Sequence, residues 1–250
     1  MTIRYKTQAF TFQKRDTNET DRIFSVFSGD YGRLDLFAKA IRKINSKLKG
    51  GINIFSLSDI EFIQGKNRKT LTDASMAEKF NNIINNPQKF NIAIKIGEVL
   101  DNFLKGEEKD GEIFSLLSEM FYELNNERTS DSKASFLYYY FLWNFLSLQG
   151  YRPEVINCAD CRKKLLPGGI SFSFKEGGIL CEDCSKLDET AQKINSDIVK
   201  ILRLIFKKDW LVISKLKVGV ASRDLFEKSS DNYCLYILSG HSLKNNNSLT

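Results

Sequence analysis

The chain has 250 residues, of which 42% are hydrophobic and 27% charged, so it can form folded cores and is neither disordered nor fibrous. No apolar run approaches the ~20 residues of a membrane-spanning helix, and residues 1–12 lack the apolar stretch of a secretory signal. We therefore expect a cytoplasmic protein of one large or two to three small domains, in which structural disulfides are disfavoured. The single histidine, His241, leaves little material for general acid–base catalysis.

The net charge of +6 is unevenly distributed along the chain. Residues 1–70 have 14 basic and 7 acidic side chains, residues 71–156 have 8 and 13, and residues 157–250 have 15 and 11. The positive excess therefore belongs mainly to the first 70 residues.

Those same residues alternate between apolar and polar with a period of two, which is typical of strands with one buried face. The alternating apolar residues are Phe10 and Phe12; Leu34, Leu36 and Ala38; and Ile60 and Phe62. Polar or glycine-rich turns separate them at 16–20, at 29–32 and at Gly50-Gly51, where glycine permits positive φ. Because closure removes exposed edges, about five short strands predict a small OB-type barrel over residues 1–75.

From Asp73 onward the apolar residues recur at helical spacing instead, in three successive amphipathic sets. A further helix, Lys133–Gln149, is apolar nearly all round, which indicates a position inside a helical bundle, and Gly150 ends it. Two more helical stretches are predicted near 189–208 and 232–238. The fold class is therefore α+β, with a barrel followed by a helical domain over residues 76–250.

Four of the five cysteines form two CxxC pairs separated by nineteen residues. Two such knuckles complete a tetrahedron around Zn²⁺, and the glycine-rich chain between them can form a hairpin. The predicted ligands of one structural Zn²⁺ are Cys158, Cys161, Cys181 and Cys184. This zinc finger is an insertion at about residues 155–187. A pair of redox motifs is the alternative, but the surrounding sequence lacks a thioredoxin-like pattern.

A basic segment follows the third predicted strand and contains no acidic residue. Its candidate DNA-binding residues are Lys39, Arg42, Lys43, Lys47 and Lys49. A second group after the Ile60–Ile63 strand adds Lys66, Arg68 and Lys69. Two basic loops flanking one face of an OB-type barrel can follow a phosphodiester backbone. The alternative is a solvated turn. Aromatic residues that could stack on bases are Phe24, Phe27, Tyr31 and Phe37, some of which must belong to the core.

The sequence contains no GxxxxGK[ST] phosphate loop and no GxGxxG motif. A Ser/His/Asp set is possible only through His241, so we expect a protein that is not an enzyme. The fifth cysteine, Cys234, lies in an apolar run and is predicted to be a small buried side chain.

Several short motifs, in the same order along the chain, resemble those of the RecO family of bacterial recombination mediators. Residues 21–28 with Gly32 are similar to its second strand and turn. Residues 38–43 with Ser46-Lys47 resemble its AKGxRK-x-x-S-K stretch, with Ala40 where glycine is usual. Later matches are the apolar helix with its turn and first knuckle (141–158), the second knuckle (171–181) and an SR-x-L-F element (222–226).

The resemblance implies an OB-fold DNA-binding domain, a helical domain and an inserted zinc finger. Members of this family bind single- and double-stranded DNA and anneal complementary strands. They act with RecR and with the carboxy-terminal tail of single-stranded-DNA-binding protein, so that RecA can load onto the strand. By the same resemblance, Lys39, Arg42, Lys43 and Lys47 contact phosphates, and the protein works in the bacterial cytoplasm at the nucleoid.

One departure concerns binding of that tail. Some members have an arginine in the central helix where this chain has Tyr139 and Tyr140; Arg152 or Arg223 are possible replacements. The alternative function is a zinc-containing nucleic-acid-binding adaptor that acts through protein partners without annealing activity. A metal-dependent nuclease is a third hypothesis, which no catalytic motif supports.

Overall fold

The computed structural model describes residues 3–166 and 168–246, without the side chains of residues 241–246. The side chain of His241, the only candidate for a histidine general base, therefore lies outside the described part. The chain forms two compact units, residues 1–138 and 139–250. In the described residues, no helix is both long enough and apolar enough to cross a bilayer.

The first unit begins with five strands that close into a barrel in the order β1-β2-β3-β5-β4, with β4 pairing back on β1. The strands are β1 (Arg4–Thr17), β2 (Asp21–Ser28), β3 (Gly32–Ala38), β4 (Ser56–Gln64) and β5 (Lys69–Lys79). Neighbours are antiparallel except β3 and β5, which pair in parallel at Leu36–Lys69 and Phe37–Thr70. This is the strand arrangement of an OB-fold, so the predicted barrel is confirmed.

Strand β1 buries side chains on both of its faces. Ala9 belongs to the core inside the barrel, whereas the ring of Phe10 lies outside it, 5.1 Å from Phe114 and 5.4 Å from Phe121 between centroids. A bulge between Thr11 and Gln13 shifts the register at this point. The alternation identified the strand correctly, but helices cover the outer face that would otherwise meet water.

The prediction of a helix from Asp73 onward is wrong over its first seven residues. Residues up to Lys79 belong to β5, which pairs with β4 along its whole length, for example at Ala74–Ile60. Main-chain hydrogen bonds to β4 close the barrel, and this long-range pairing overrides the local helical spacing.

Helices follow the barrel: α1 (Asn81–Asn85), α2 (Pro87–Phe103), α3 (Gly111–Asn125) and α4 (Asp131–Leu148). Asn86 and Asp110 cap α2 and α3 by accepting hydrogen bonds from first-turn N–H groups. The predicted apolar helix corresponds to α4, which buries residues 136–146 on all sides. It ends at Leu148, and Gly150, two residues further on, has a φ of 84°, in the left-handed region that favours glycine.

Beyond α4, the described residues of the second unit form a small sheet and four helices of different lengths. Its elements are β6 (Ser171–Ser173), β7 (Gly178–Leu180), α5 (Glu182–Ser185), β8 (Gln192–Lys193), α6 (Ser196–Ile205), α7 (Trp210–Ile213) and α8 (Val220–Asn246). The helix predicted near 189–208 is shorter than expected, because β8 pairs with β6 and Asn195 caps α6. The one predicted near 232–238 is longer and begins at Val220.

Candidate nucleic-acid interface and metal centre

The basic segment, residues 39–49, leaves the end of β3 and is anchored at its start. The carboxylate of Asp21 accepts a 2.7 Å hydrogen bond from the N–H of Ala40, and this bond is the main reason why the pKa of Asp21 lies below its ordinary value. Ala40 has a φ of 54°, in the left-handed region that favours glycine. This conformation accounts for the glycine that the family pattern has at the same position.

Arg42 ties the basic segment to the turn between β1 and β2. Its N–H donates to the carbonyl oxygen of Thr20 at 3.0 Å. Its guanidinium donates to the carbonyl oxygen of Asn18 at 3.4 Å and lies 3.5 Å from a carboxylate oxygen of Asp16. Part of its charge is therefore used to hold the segment in place.

The far end of the basic segment is fixed by a close backbone approach. Gly50-Gly51 could adopt positive φ but does not, since Gly51 has a φ of −91° and neither residue is in the left-handed region. Glycine is needed at Gly51 for another reason: a Cβ there would lie 1.9 Å from the carbonyl oxygen of Ala74. Between these anchors, Ile41 belongs to the barrel core and Leu48 packs against it.

The lysines of the basic segment have no anionic partner. Lys39, Lys43, Lys47 and Lys49 are exposed, and none of them forms an ion pair within the described residues. Several other cations of the barrel are paired; for instance, Arg4 and Lys6 both lie 3.1 Å from Glu61. The four lysine ammonium groups are thus available to an external anion.

The second basic group lines a cleft of about 510 Å³ on the outside of the barrel. Its basic lining residues are Arg15, Arg33, Lys66, Arg68, Lys69 and Lys105, and its acidic ones are Asp35 and Glu107. Sequence reasoning missed Arg15, Arg33 and Lys105. The outward positions of Arg15 and Arg33 in their strands were the available signal; Lys105 follows α2 and gave none.

The cations of the cleft differ in how far they are already neutralised. Lys69 pairs with Glu107, and Arg33 pairs with Asp101 at 2.6 Å. Lys66 and Arg68 are exposed and form no ion pair within the described part of the chain. In the second basic group, Lys66 and Arg68 are therefore more available to a phosphate than Lys69.

The four predicted metal ligands lie together in the second unit. The Sγ atoms of Cys158, Cys161, Cys181 and Cys184 are all within 4.8 Å of one another. The first pair lies on a tight knuckle, where the N–H of Arg162 donates to the carbonyl oxygen of Cys158 and Arg162 has a φ of 63°. In the second pair, Cys181 precedes α5 and Cys184 lies within it.

The thiol of Cys158 is set up for ionisation. Burial on its own would raise its pKa, but hydrogen bonds from the backbone N–H groups of Cys181, Cys161 and Asp160 lower it to about 7. Cys184 differs, because its hydrogen bond to the side chain of Asp160 stabilises the protonated thiol and raises its pKa. Deprotonated thiolates are the form that binds metal ions.

The β6–β7 hairpin connects the cysteine cluster to the helices of its unit. Phe172 of β6 lies 6.0 Å from Trp143 of α4 and 5.2 Å from Tyr233 of α8, between ring centroids. A Cβ at Gly178 would lie 2.7 Å from the carbonyl oxygen of Glu154, so β7 can approach Glu154 this closely only because residue 178 is glycine. The cluster therefore rests on a rigid aromatic support.

The positions discussed for tail binding are occupied by buried tyrosines. Tyr139 and Tyr140 are each at most 5% exposed, and the hydroxyl of Tyr139 donates to Asp231 at 3.2 Å. Arg223 pairs with Glu227 at 3.1 Å, and the guanidinium of Arg152 lies 4.6 Å from the ring centroid of Phe206. Cys234 is 8% exposed, as predicted for a small buried side chain.

Comparison with known proteins identifies one family over nearly the whole chain. The family model "Recombination protein O N terminal" matches residues 1–80, and "Recombination protein O C terminal" matches residues 85–247. A protein named DNA repair protein RecO from Dehalococcoides mccartyi strain 195 is 35% identical over 86% of this chain and 83% of its own length. One of the same name from Alkaliphilus metalliredigens is 25% identical over 92% of both. The chain therefore belongs to the RecO family, whose members act in DNA repair and recombination.

Proposed function

We propose that this protein is a DNA-binding recombination mediator without enzymatic activity. It binds single- and double-stranded DNA, anneals complementary strands, and helps RecA load onto strands coated by single-stranded-DNA-binding protein. Its protein partners are RecR and the carboxy-terminal tail of single-stranded-DNA-binding protein, in the bacterial cytoplasm at the nucleoid. Residues 1–75 bind DNA, and residues 76–250 form a helical domain with a zinc finger inserted at about 155–187.

The observation that carries this proposal is the row of unpaired lysines on the OB-type barrel. Lys39, Lys43, Lys47 and Lys49 have no anionic partner within the described residues, although the protein contains 31 acidic side chains. Neutralising phosphates releases condensed counterions, so such a segment binds DNA of any sequence with an affinity that falls with salt. This surface is extended by Arg42, Lys66 and Arg68. The paired Lys69 contributes to a smaller extent.

One structural Zn²⁺ held by the four cysteines completes the proposal. Ligands at a Zn–S distance of about 2.3 Å in a tetrahedron are separated by roughly 3.8 Å, and the Sγ atoms of Cys161 and Cys181 are 3.7 Å apart. Four thiolates leave no open coordination position, so the ion would stabilise the fold and not take part in a reaction. Arg162, Lys163 and Lys164 lie beside the first knuckle and reduce the excess negative charge.

The decisive experiment is strand annealing on DNA coated with single-stranded-DNA-binding protein. The wild-type protein is expected to accelerate pairing of complementary strands, and the triple variant K39E/R42E/K43E to lose most of this effect. A matched control, K207E/K217E/K228E, changes the net charge equally at exposed lysines of the second unit and should retain it. Full annealing by the first triple variant would contradict the placement of the DNA site.

The adaptor alternative makes a different prediction in the same assay. An adaptor would be retained on coated strands through its protein partner, but it would not accelerate pairing. Salt distinguishes the two. For binding to single strands through phosphates, the slope of log affinity against log salt concentration becomes more negative by about 0.7 for each phosphate contact.

A further inference from the structure

The outer face of the barrel carries one aromatic ring at the floor of the cleft. Phe37 of β3 is not part of the core inside the barrel, which takes Leu34, Leu36 and Ala38 from the same strand. It belongs to a cross-strand row, in which Arg15 pairs with Ile23, Ile23 with Phe37, and Phe37 with Thr70. Phe37 lines the cleft together with Arg15 and Ile23.

The ring of Phe37 is nevertheless only 6% exposed, because a side chain covers it. The guanidinium of Arg68 lies over the ring face, 3.6 Å from its centroid. Arg68 is in the turn between β4 and β5, and its exposed side chain forms no hydrogen bond or ion pair within the described residues. A cation–π contact at an exposed site is weak, so within the described residues only this contact and a Coulombic attraction to the carboxylate of Asp21 hold the arginine in this position.

The other three aromatic candidates of the barrel are not available in this way. Phe24 and Phe27 are at most 1% exposed. The ring of Tyr31 packs edge-on against Tyr5 at 5.8 Å and Phe62 at 5.6 Å. Phe37 is thus the one of the four aromatic candidates whose face opens onto a basic cleft.

We propose that the cleft is a nucleobase subsite, in which one unpaired base stacks between the ring of Phe37 and the guanidinium of Arg68. In the free protein the arginine occupies the place of the base. On binding, it moves away from the ring by about one stacking distance, roughly 3.4 Å, and contacts the other face of the base. Lys66, at the same turn, is then positioned for the adjacent phosphate.

This subsite rests on the proposed DNA-binding function and adds a preference for single strands to it. The bases of a duplex are paired and stacked on one another, so they cannot enter the cleft, whereas an unpaired base exposes both faces. The lysines of the basic segment contact only phosphates and do not make this distinction. The volume of about 510 Å³ is in the range of small-ligand sites and accommodates a base with its sugar.

The test uses the full-length protein and oligonucleotides containing one 2-aminopurine, whose fluorescence is quenched on stacking. The wild type should quench the probe, and Phe37→Leu should not. Phe37→Leu should also lower affinity for a single strand by roughly 5- to 150-fold, corresponding to one lost base–aromatic stack, and leave duplex affinity unchanged. Phe37→Tyr should restore both properties, which a purely structural role of the residue would not explain.

Two controls separate the possible failures. An oligonucleotide of abasic sites, with the same number of phosphates, should bind the wild type and Phe37→Leu equally; thermal melting establishes that the variants are folded. If Phe37→Leu binds single strands with wild-type affinity and quenching, the subsite is refuted while DNA binding stands. If the wild type binds neither single strands nor duplex, the proposed function itself fails.

Discussion

The basic segment of the barrel and the cysteine cluster of the second unit differ in how far their residues depend on one another. The lysines of residues 39–49 lie apart in solvent, on a backbone that is anchored at both ends and forms short hydrogen-bonded turns between them. The four thiols lie within 4.8 Å of one another, and each is positioned by a knuckle or a helix turn. Loss of one lysine should therefore weaken the proposed DNA binding only in part, whereas loss of one cysteine should abolish the proposed metal site.

The largest expected effect follows from breaking the cysteine cluster. Structural zinc sites bind with about 10–16 kcal/mol in isolated fingers, which matches or exceeds the whole stability of most domains. Cys158→Ser or Cys181→Ser should therefore lose the metal and unfold at least residues 154–187. Elemental analysis should detect about one zinc per wild-type chain and none in the variants, and proteolysis should cleave the variants near the ribbon.

The control for the cysteine variants is Cys234→Ala, which replaces the buried cysteine outside the cluster. It should retain the metal and resist proteolysis. A wild-type protein that is metal-free and fully folded would show that the cluster is not a metal centre.

A smaller, graded effect is expected from the basic segment. Each of Lys39, Arg42 and Lys43, when changed to Glu, removes about one phosphate contact, so three changes should cost roughly 100-fold in single-strand affinity at about 0.1 M salt. The slope of log affinity against log salt should fall by about 2 at the same time. Fluorescence anisotropy across a salt series measures both, and single variants that each abolish binding would contradict the additive behaviour.

The two adjacent glycines after the segment allow a paired test of its far anchor. A Cβ at Gly51 meets the backbone oxygen of Ala74 at 1.9 Å, whereas nothing lies within 4 Å of one at Gly50. Gly51→Ala should lower the free energy of unfolding by about 1–3 kcal/mol through overpacking, and Gly50→Ala should leave it nearly unchanged. Denaturant unfolding distinguishes them; equal effects would mean that the close approach has no energetic role.

The smallest effect concerns the near anchor. Ala40 has a φ of 54°, which costs an L-residue roughly 1–2 kcal/mol. Glycine relieves this cost but adds about 0.4–1 kcal/mol of unfolded-state entropy. Ala40→Gly should therefore stabilise the protein by about 0.5 kcal/mol, visible as a small rise in Tm. A clear destabilisation would show that the methyl group of Ala40 makes a contact of its own.

Local patterns were sufficient for the parts of the fold whose signals repeat over a few residues. The alternation of Leu34, Leu36 and Ala38 predicts β3, and the all-round apolar run after Lys133 predicts α4. The CxxC spacing predicts each pair of the cysteine cluster, because a short turn of this kind brings two thiols to one side. In each case neighbours in sequence are also neighbours in space.

Tertiary structure alone decided the features that join distant parts of the chain. Residues 73–79 have helical spacing but form a strand, because β4 offers them main-chain partners. Lys69 meets Glu107, 38 residues away, so its charge is neutralised while that of Lys66 is not. The alternation places Phe37 on the face of β3 opposite to Leu36, but only the fold covers its ring with Arg68, while the ring of Phe24 lies in the barrel core. The sequence by itself determined which residue types and elements are present, whereas packing determined which charges and rings remain available to DNA.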